Sequence, residues 1–112
     1  MSQMGPKGVF PILFAANGTS AEFFYNGSKG ALQISGVFGT DGVLTCEVSL
    51  NDADFAVDPG FGANLGTAGS VLTAGIVYFS RNAPLGAKYR LVLADATTTP
   101  ALQIDSAQGE AR

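Results

Sequence analysis

The chain has no histidine and no tryptophan, and its one cysteine is Cys46. Each absence removes a class of chemistry. Without an imidazole, neither a Ser/His/Asp nor a Cys/His nucleophilic site can be assembled within one chain, and a Cys/His zinc centre lacks its ligands. A lone cysteine excludes a disulfide framework, and Cys46 reads as a small buried hydrophobe within an alternating apolar pattern. Charge is scarce as well: 6 Lys+Arg and 9 Asp+Glu make 13% of the chain, for a net charge of −3, against about 25% in an ordinary soluble domain. With no cluster of cations, binding to a phosphate backbone has no support, and no nucleic-acid partner is expected. No apolar run approaches the roughly 20 residues of a membrane span. The stretch Val9-Phe10-Pro11-Ile12-Leu13-Phe14-Ala15-Ala16 after Lys7 has the outline of a secretory signal, but it is short and broken by Pro11. A soluble, unprocessed chain without a membrane partner is therefore expected.

What remains is sequence that forms strands and turns. The length of 112 residues is that of one domain, enough to bury roughly two-thirds of the unfolded surface around a single core. Its 15 glycines and 5 prolines interrupt every window that might carry a 3.6-residue apolar period, so no helix beyond one turn is expected. Alternation is plain instead. Over 31–38, Leu32, Ile34, Gly36 and Phe38 share one face, and Gln33, Ser35 and Val37 the other. Over 43–50, Leu44, Cys46, Val48 and Leu50 alternate with Thr45, Glu47 and Ser49. A period of two marks a half-buried strand. Between these runs, Gly39-Thr40-Asp41-Gly42 supplies the left-handed positions of a tight turn, which predicts an antiparallel hairpin. Further strands are read over 21–25, 70–73, 75–80, 88–93 and 101–105, each bounded by Gly, Pro, Asn or Asp.

Seven to eight short strands of this kind predict an all-β fold, an antiparallel β-sandwich or a barrel. Tyr89 opens a strand just after Gly86, which favours the sandwich. It is read either as a tyrosine corner, its hydroxyl tied to upstream backbone, or as one more core aromatic. The expected core is Leu32, Ile34, Leu44, Cys46, Val48, Leu50, Val77, Phe79, Tyr89, Leu91 and Leu93. The domain is placed over 20–105, behind an extended N-terminal arm over 1–19 and ahead of a polar tail over 106–112.

The arm carries Val9, Phe10, Ile12, Leu13 and Phe14, too apolar to stand in solvent, while Pro6, Pro11 and the glycines between forbid a helix. Such a segment either lies along a neighbouring chain or adds an edge strand to its own sandwich. The first reading is preferred and makes those five residues partner-binding. Arg81 and Arg90 are candidates for interface contacts because cations are so few, an intramolecular partner being equally open for both, and Arg81 is added to the partner-binding set.

The acids carry less. Asp52, Asp54 and Asp58 alternate in one loop as calcium ligands do, but an EF-hand needs a ligand at Ala56 and a glycine beyond it, and has neither. Asp41 with Glu47, or Asp95 with Asp105, offer a glycosidase pair only in principle, since they fall on turns and outward strand positions. Gly60-Phe61-Gly62-Ala63-Asn64-Leu65-Gly66 precedes no helix with a lysine, so it is a loop rather than a phosphate cradle. Asn17-Gly18-Thr19 and Asn26-Gly27-Ser28 match the glycosylation pattern, which matters only in a secretory pathway. No metal, cofactor or catalytic centre is expected.

The succession Gly36-Val37-Phe38-Gly39, then 43–50 running into Ser49-Leu50-Asn51-Asp52-Ala53-Asp54-Phe55-Ala56-Val57-Asp58, and later Gly86-Ala87-Lys88-Tyr89-Arg90-Leu91-Val92-Leu93, resembles small β-sandwich virion proteins of tailed bacteriophages. In that family a Gly-x-Phe-Gly strand end leads to a hairpin, a Ser-x-Asp turn, an aromatic and a late Gly-x-Tyr-Arg strand. The resemblance spans 20–105, with Phe55 standing where a tryptophan is often found. It implies a structural virion role: a capsid decoration (cement) protein on the capsid surface, bound to the major capsid protein as a homotrimer, or else a neck, fibre or tail module. From another class, the rival is a carbohydrate-binding or adhesion sandwich, which needs an exposed aromatic cluster such as Phe23, Tyr25, Phe61 and Tyr78.

Overall fold

Short alternating runs between glycines leave the backbone little but strand ladders, and the computed structural model has nine strands in the residues it describes, 9–24, 30–66, 69–78 and 87–108. They are β1 (Ile12–Phe14), β2 (Gly18–Thr19), β3 (Phe23–Phe24), β4 (Gly30–Val37), β5 (Val43–Ser49), β6 (Ala56–Val57), β7 (Gly75–Tyr78), β8 (Lys88–Ala94) and β9 (Ala101–Gln108). A 3₁₀ turn at Ala63–Leu65 is the one helical element among the described residues. The strands form two antiparallel sheets. The first has the order β1-β9-β4-β7 and the second β2-β8-β5-β6, with β3 also paired to β8. Strands β2 and β3 are two halves of one interrupted edge: Thr19 sits opposite Val92, and Phe23 opposite Tyr89. Ser20 keeps the ladder continuous across the gap. Its N–H donates to Leu91 O at 2.8 Å, and its hydroxyl accepts the Leu91 N–H at 2.9 Å.

With β2 and β3 counted as one, each strand crosses to the opposite sheet from its predecessor except at β5 to β6, which are neighbours. Eight strands wound this way in two sheets have jelly-roll connectivity. The core lies between the sheets. Ile12, Phe14, Leu32, Ile34, Val77, Leu102 and Ile104 come from the first; Phe23, Leu44, Cys46, Tyr89, Leu91 and Leu93 come from the second. Phe38, Phe61 and Val71 close it from the loops.

The all-β sandwich is as the alternation predicts, but three local expectations are corrected. The expected hairpin between 31–38 and 43–50 does not exist. Its turn forms, with Gly39 at φ 77° and Asp41 at φ 64°, yet β4 pairs with β9 and β7 while β5 pairs with β8 and β6. A turn dictates that the chain reverses, not whether it reverses within a sheet or across the core. Here the two apolar faces are buried against each other, and each strand takes a longer ladder from another partner. Gly36 makes the departure possible. At φ 101° it brings β4 so close to β9 that a Cβ there would lie 2.0 Å from Ala101 O.

Leu50 is the second correction: it is 77% exposed, and its neighbour Ser49 is buried instead. The strand ends because side chains compete with the ladder. Asn51 Oδ1 accepts from the Ser49 hydroxyl at 3.1 Å and from the N–H groups of Ala53 and Asp54 at 3.0 and 2.9 Å, bending the chain at Leu50. Val48 is half-buried against the core.

The third concerns the boundaries. The segment from Val9 onward is not a free arm: β1 pairs with β9, Ile12 opposite Ile104 and Phe14 opposite Leu102. The sandwich therefore begins at Ile12 rather than 20, and β9 carries it to Gln108 rather than 105. The strand read over 70–73 is reduced to a bridge between Val71 and Leu44. Within 21–25 the strand is Phe23–Phe24; Tyr25, Phe79, Arg81 and residues 109–112 lie outside the described residues. Tyr89 is buried, its ring stacked on Phe23 at 6.0 Å.

Candidate partner-binding face

Titratable groups that cluster for chemistry leave a recognisable geometry, so the acids are traced first. Lys88 Nζ lies 3.7 Å from Asp52 and 3.6 Å from Glu22. Asp54 Oδ2 accepts from Asn51 Nδ2 at 3.1 Å, and Asp58 Oδ1 from the Gly60 N–H at 2.9 Å. The three loop carboxylates thus serve three different partners. Among the described residues, no three His, Cys, Asp or Glu side chains come close enough to hold a metal ion. Asp41 and Asp95 sit on left-handed turn positions, while Glu47 and Asp105 point outward from strands. A shallow hollow lined by Gly39, Asp41, Gly42, Val43 and Leu72 has one carboxylate and no second titratable side chain. Cys46 faces the core, where burial pushes its thiol far above the ordinary value and the charges of Asp58 and Glu47 push the same way.

The two outer sheet faces differ in charge. Lys88 and Arg90, the two cations among the described residues, both stand on the outer face of the second sheet. Arg90 Nε donates to Glu47 Oε1 at 2.7 Å, and its guanidinium lies 3.8 Å over the ring of Phe55. That bidirectional hold, a carboxylate on one side and an aromatic face on the other, makes Arg90 an intramolecular brace. The side chains of this face are mostly half-buried, so little of it is left for a partner.

The outer face of the first sheet is nearly uncharged. Register places Leu13 beside Gln103 and Ser35, and Asp105 beside Gln33 and Ile76, with Tyr78 next to Ala31 and Val37 next to Ala101. Leu13, Val37 and Tyr78 are 68%, 58% and 59% exposed. The one charge on this face among the described residues, Asp105, accepts from Gln103 Nε2 at 3.2 Å. Depletion of charge around exposed aliphatic and aromatic side chains is what sets the centre of a protein interface apart from ordinary surface. Four strands about 4.8 Å apart, of three, eight, eight and four residues at about 3.3 Å each, give this face an extent of roughly 360 Å².

One pole of the sandwich is laced. Asn17 exchanges two hydrogen bonds with the backbone of Ala96, both at 3.1 Å. Thr97 N–H donates to Thr40 O at 2.8 Å, and Thr40 N–H to Thr98 Oγ1 at 2.8 Å. Three crossing loops are thereby held as one rigid surface.

Of the residues expected to bind a partner, Ile12 and Phe14 are core residues, and Val9 and Phe10 pack half-buried against the core. Phe10 meets Phe23 edge-on at 5.0 Å. Leu13 alone of the five points outward, and Arg81 lies outside the described residues. Of the aromatic cluster named for the glycan-binding rival, Phe23 and Phe61 are buried, Tyr78 is exposed and Tyr25 lies outside the described residues. The face formed by Gln33, Ser35, Val37, Ile76, Tyr78 and Gln103 went unnamed in the sequence, although the alternation that defines the core defines its opposite side too. The absence of charge among Gln33, Ser35 and Val37 was the available signal. No protein-family model, no curated protein and no solved structure matches the chain.

Proposed function

We propose that the chain is a non-enzymatic structural protein of a tailed-bacteriophage virion, a capsid decoration protein that docks on the major capsid protein through the outer face of its first sheet. The observation that carries this reading is the charge asymmetry of the two sheets. Every described cation is locked in place on one face, while the other presents Leu13, Val37, Ile76 and Tyr78 among uncharged amides and hydroxyls. Jelly-roll connectivity supports it at the level of analogy, since viral capsid proteins use that architecture, as do lectins and cupins. The sequence resemblance narrows the analogy to phage virions. A face of roughly 360 Å² falls short of the about 800 Å² per partner of a standard interface. Homotrimeric assembly, carried over from the resemblance, offsets that deficit by engaging several weak sites at once.

The test is cosedimentation of the purified protein with expanded, undecorated capsids. Gln33→Arg and Gln103→Arg place charge on the docking face without touching the core, so both are expected to melt like wild type and to lose capsid binding. Binding that survives both substitutions would move the docking site elsewhere. Absence of binding by the wild type, with attachment to necks or tails instead, would favour the fibre or tail module.

A further inference from the structure

The outermost strand of a sheet offers unpaired backbone groups to any other strand, and proteins blunt such edges with short length, charge, proline or interruptions. Three of the four edges here are blunted in those ways. Strand β1 has three residues and follows Pro11 directly. The β2/β3 edge is interrupted by 20–22 and carries Glu22, paired to Lys88. Strand β6 has two residues, set between Asp54 and Asp58. The fourth, β7, is Gly-Ile-Val-Tyr: four residues without charge or proline, Ile76 and Tyr78 exposed.

Among the described residues, one polar side chain meets the open hydrogen-bonding edge of β7. Asn64 Nδ2 donates to Ile76 O at 2.8 Å, and Tyr78 N–H donates to Asn64 Oδ1 at 3.2 Å. The carboxamide thus occupies the carbonyl and the amide that flank Val77, as a residue of a neighbouring strand would. Asn64 is held there by a strap one turn long, Ala63–Leu65, between Gly62 and Gly66, both left-handed at φ 82° and 84°. Leu65 reaches over Gly75, its methyl groups 3.6 and 3.7 Å from where a Cβ would stand.

We infer that β7 is a self-association edge kept closed by Asn64: when the carboxamide is removed, β7 of one copy pairs antiparallel with β7 of a second copy. A second copy is the occupant that the charges favour. The chain is acidic overall, so at the two edges of the second sheet Glu22, Asp54 or Asp58 of two copies would approach one another, and β1 is limited to three residues behind Pro11, whereas β7 and its neighbour β4 are themselves without charge. The pairing would join two four-stranded sheets into one and cover Ile76 and Tyr78 of both copies. It does not depend on the virion role.

Sedimentation of Asn64→Ala against wild type over the same concentration range tests it. The variant is expected to form particles of twice the wild-type mass, with at least about a tenfold rise in the association constant. Adding Ile76→Lys, which sets two ammonium groups against each other across the axis, is expected to restore the wild-type mass. In the Asn64→Ala background with oxidised glutathione added, Ile76→Cys is expected to form a disulfide between copies by thiol–disulfide exchange, two reduced glutathiones leaving with the electrons and protons, while Cys46 stays buried. Absence of a cross-linked species would count against the inference. Asn64→Ser, too short to reach β7, serves as the second opening variant. Wild-type mass for both opening variants, or association that Ile76→Lys leaves unchanged, would overturn the inference. So would loss of folding in both by circular dichroism, since the amide would then be holding the fold rather than closing an edge.

Discussion

Three asparagines do work that backbone does elsewhere in the fold. Asn17 clasps Ala96, Asn51 gathers the turn after β5, and Asn64 covers β7. Each offers a donor and an acceptor on one short planar group, which is what a peptide unit offers. Cys46 shows the opposite economy, a polar atom with its proton kept by the core. The folded thiol holds that proton far above the ordinary 9.0, chiefly through burial. An unfolded chain releases it near that value, so the unfolded state binds fewer protons as pH rises, and stability falls. The contribution is complete below pH 9.0 and is lost above it, by up to about 1.4 kcal/mol per unit. Urea titrations of wild type and Cys46→Ala at neutral and at strongly alkaline pH are expected to show a steeper alkaline loss for wild type. In the folded state the thiol is expected to resist alkylating reagents until denaturant is added.

At the scale of elements, β1 decides how the N-terminus should behave. It supplies Ile12 and Phe14 to the core and covers β9. Burial of two such side chains is worth about 1.5–3 kcal/mol each, a large part of the 5–15 kcal/mol that holds a small domain together. Deleting residues 1–16 is therefore expected to lower the melting temperature by well over ten degrees or to unfold the protein, as followed by thermal denaturation. A truncated chain that melts near wild type would return the segment to the role of a detachable anchor. The sequence carried a sign of β1, since Ile12 and Phe14 alternate with Leu13, but three residues beside a proline are too few for a period to show. Longer runs were legible: Leu32 and Ile34, and Leu44 and Cys46, were assigned to the correct faces. Pairing was not, because alternation fixes which side of a strand is buried and says nothing about which strand lies beside it. The same limit hid the uncharged outer face of the first sheet, whose members come from four strands that are distant in sequence.

The whole molecule is dominated by pairings between distant parts of the chain. Ile12 meets Ile104, Thr19 meets Val92 and Ile34 meets Ile104, so closing the first sheet requires the last strand to be in place. Loops of that length must be closed before their contacts can contribute, which makes such topologies slow. Refolding from urea, followed by stopped-flow tyrosine fluorescence, is expected to take milliseconds to seconds rather than microseconds. The β1–β9 pairing also gives the molecule a direction. Strand β1 runs from Ile12 beside Ile104 towards Phe14 beside Leu102, and β9 runs the opposite way to Gln108, so the chain enters and leaves the first sheet at the pole away from the laced loops of Asn17, Thr40 and Thr97. The outer ends of β1 and β9 thus stand on one side. A peptide joined ahead of Ile12 or beyond Gln108 would set out from the same pole, and an array of copies would launch both kinds of cargo in the same direction.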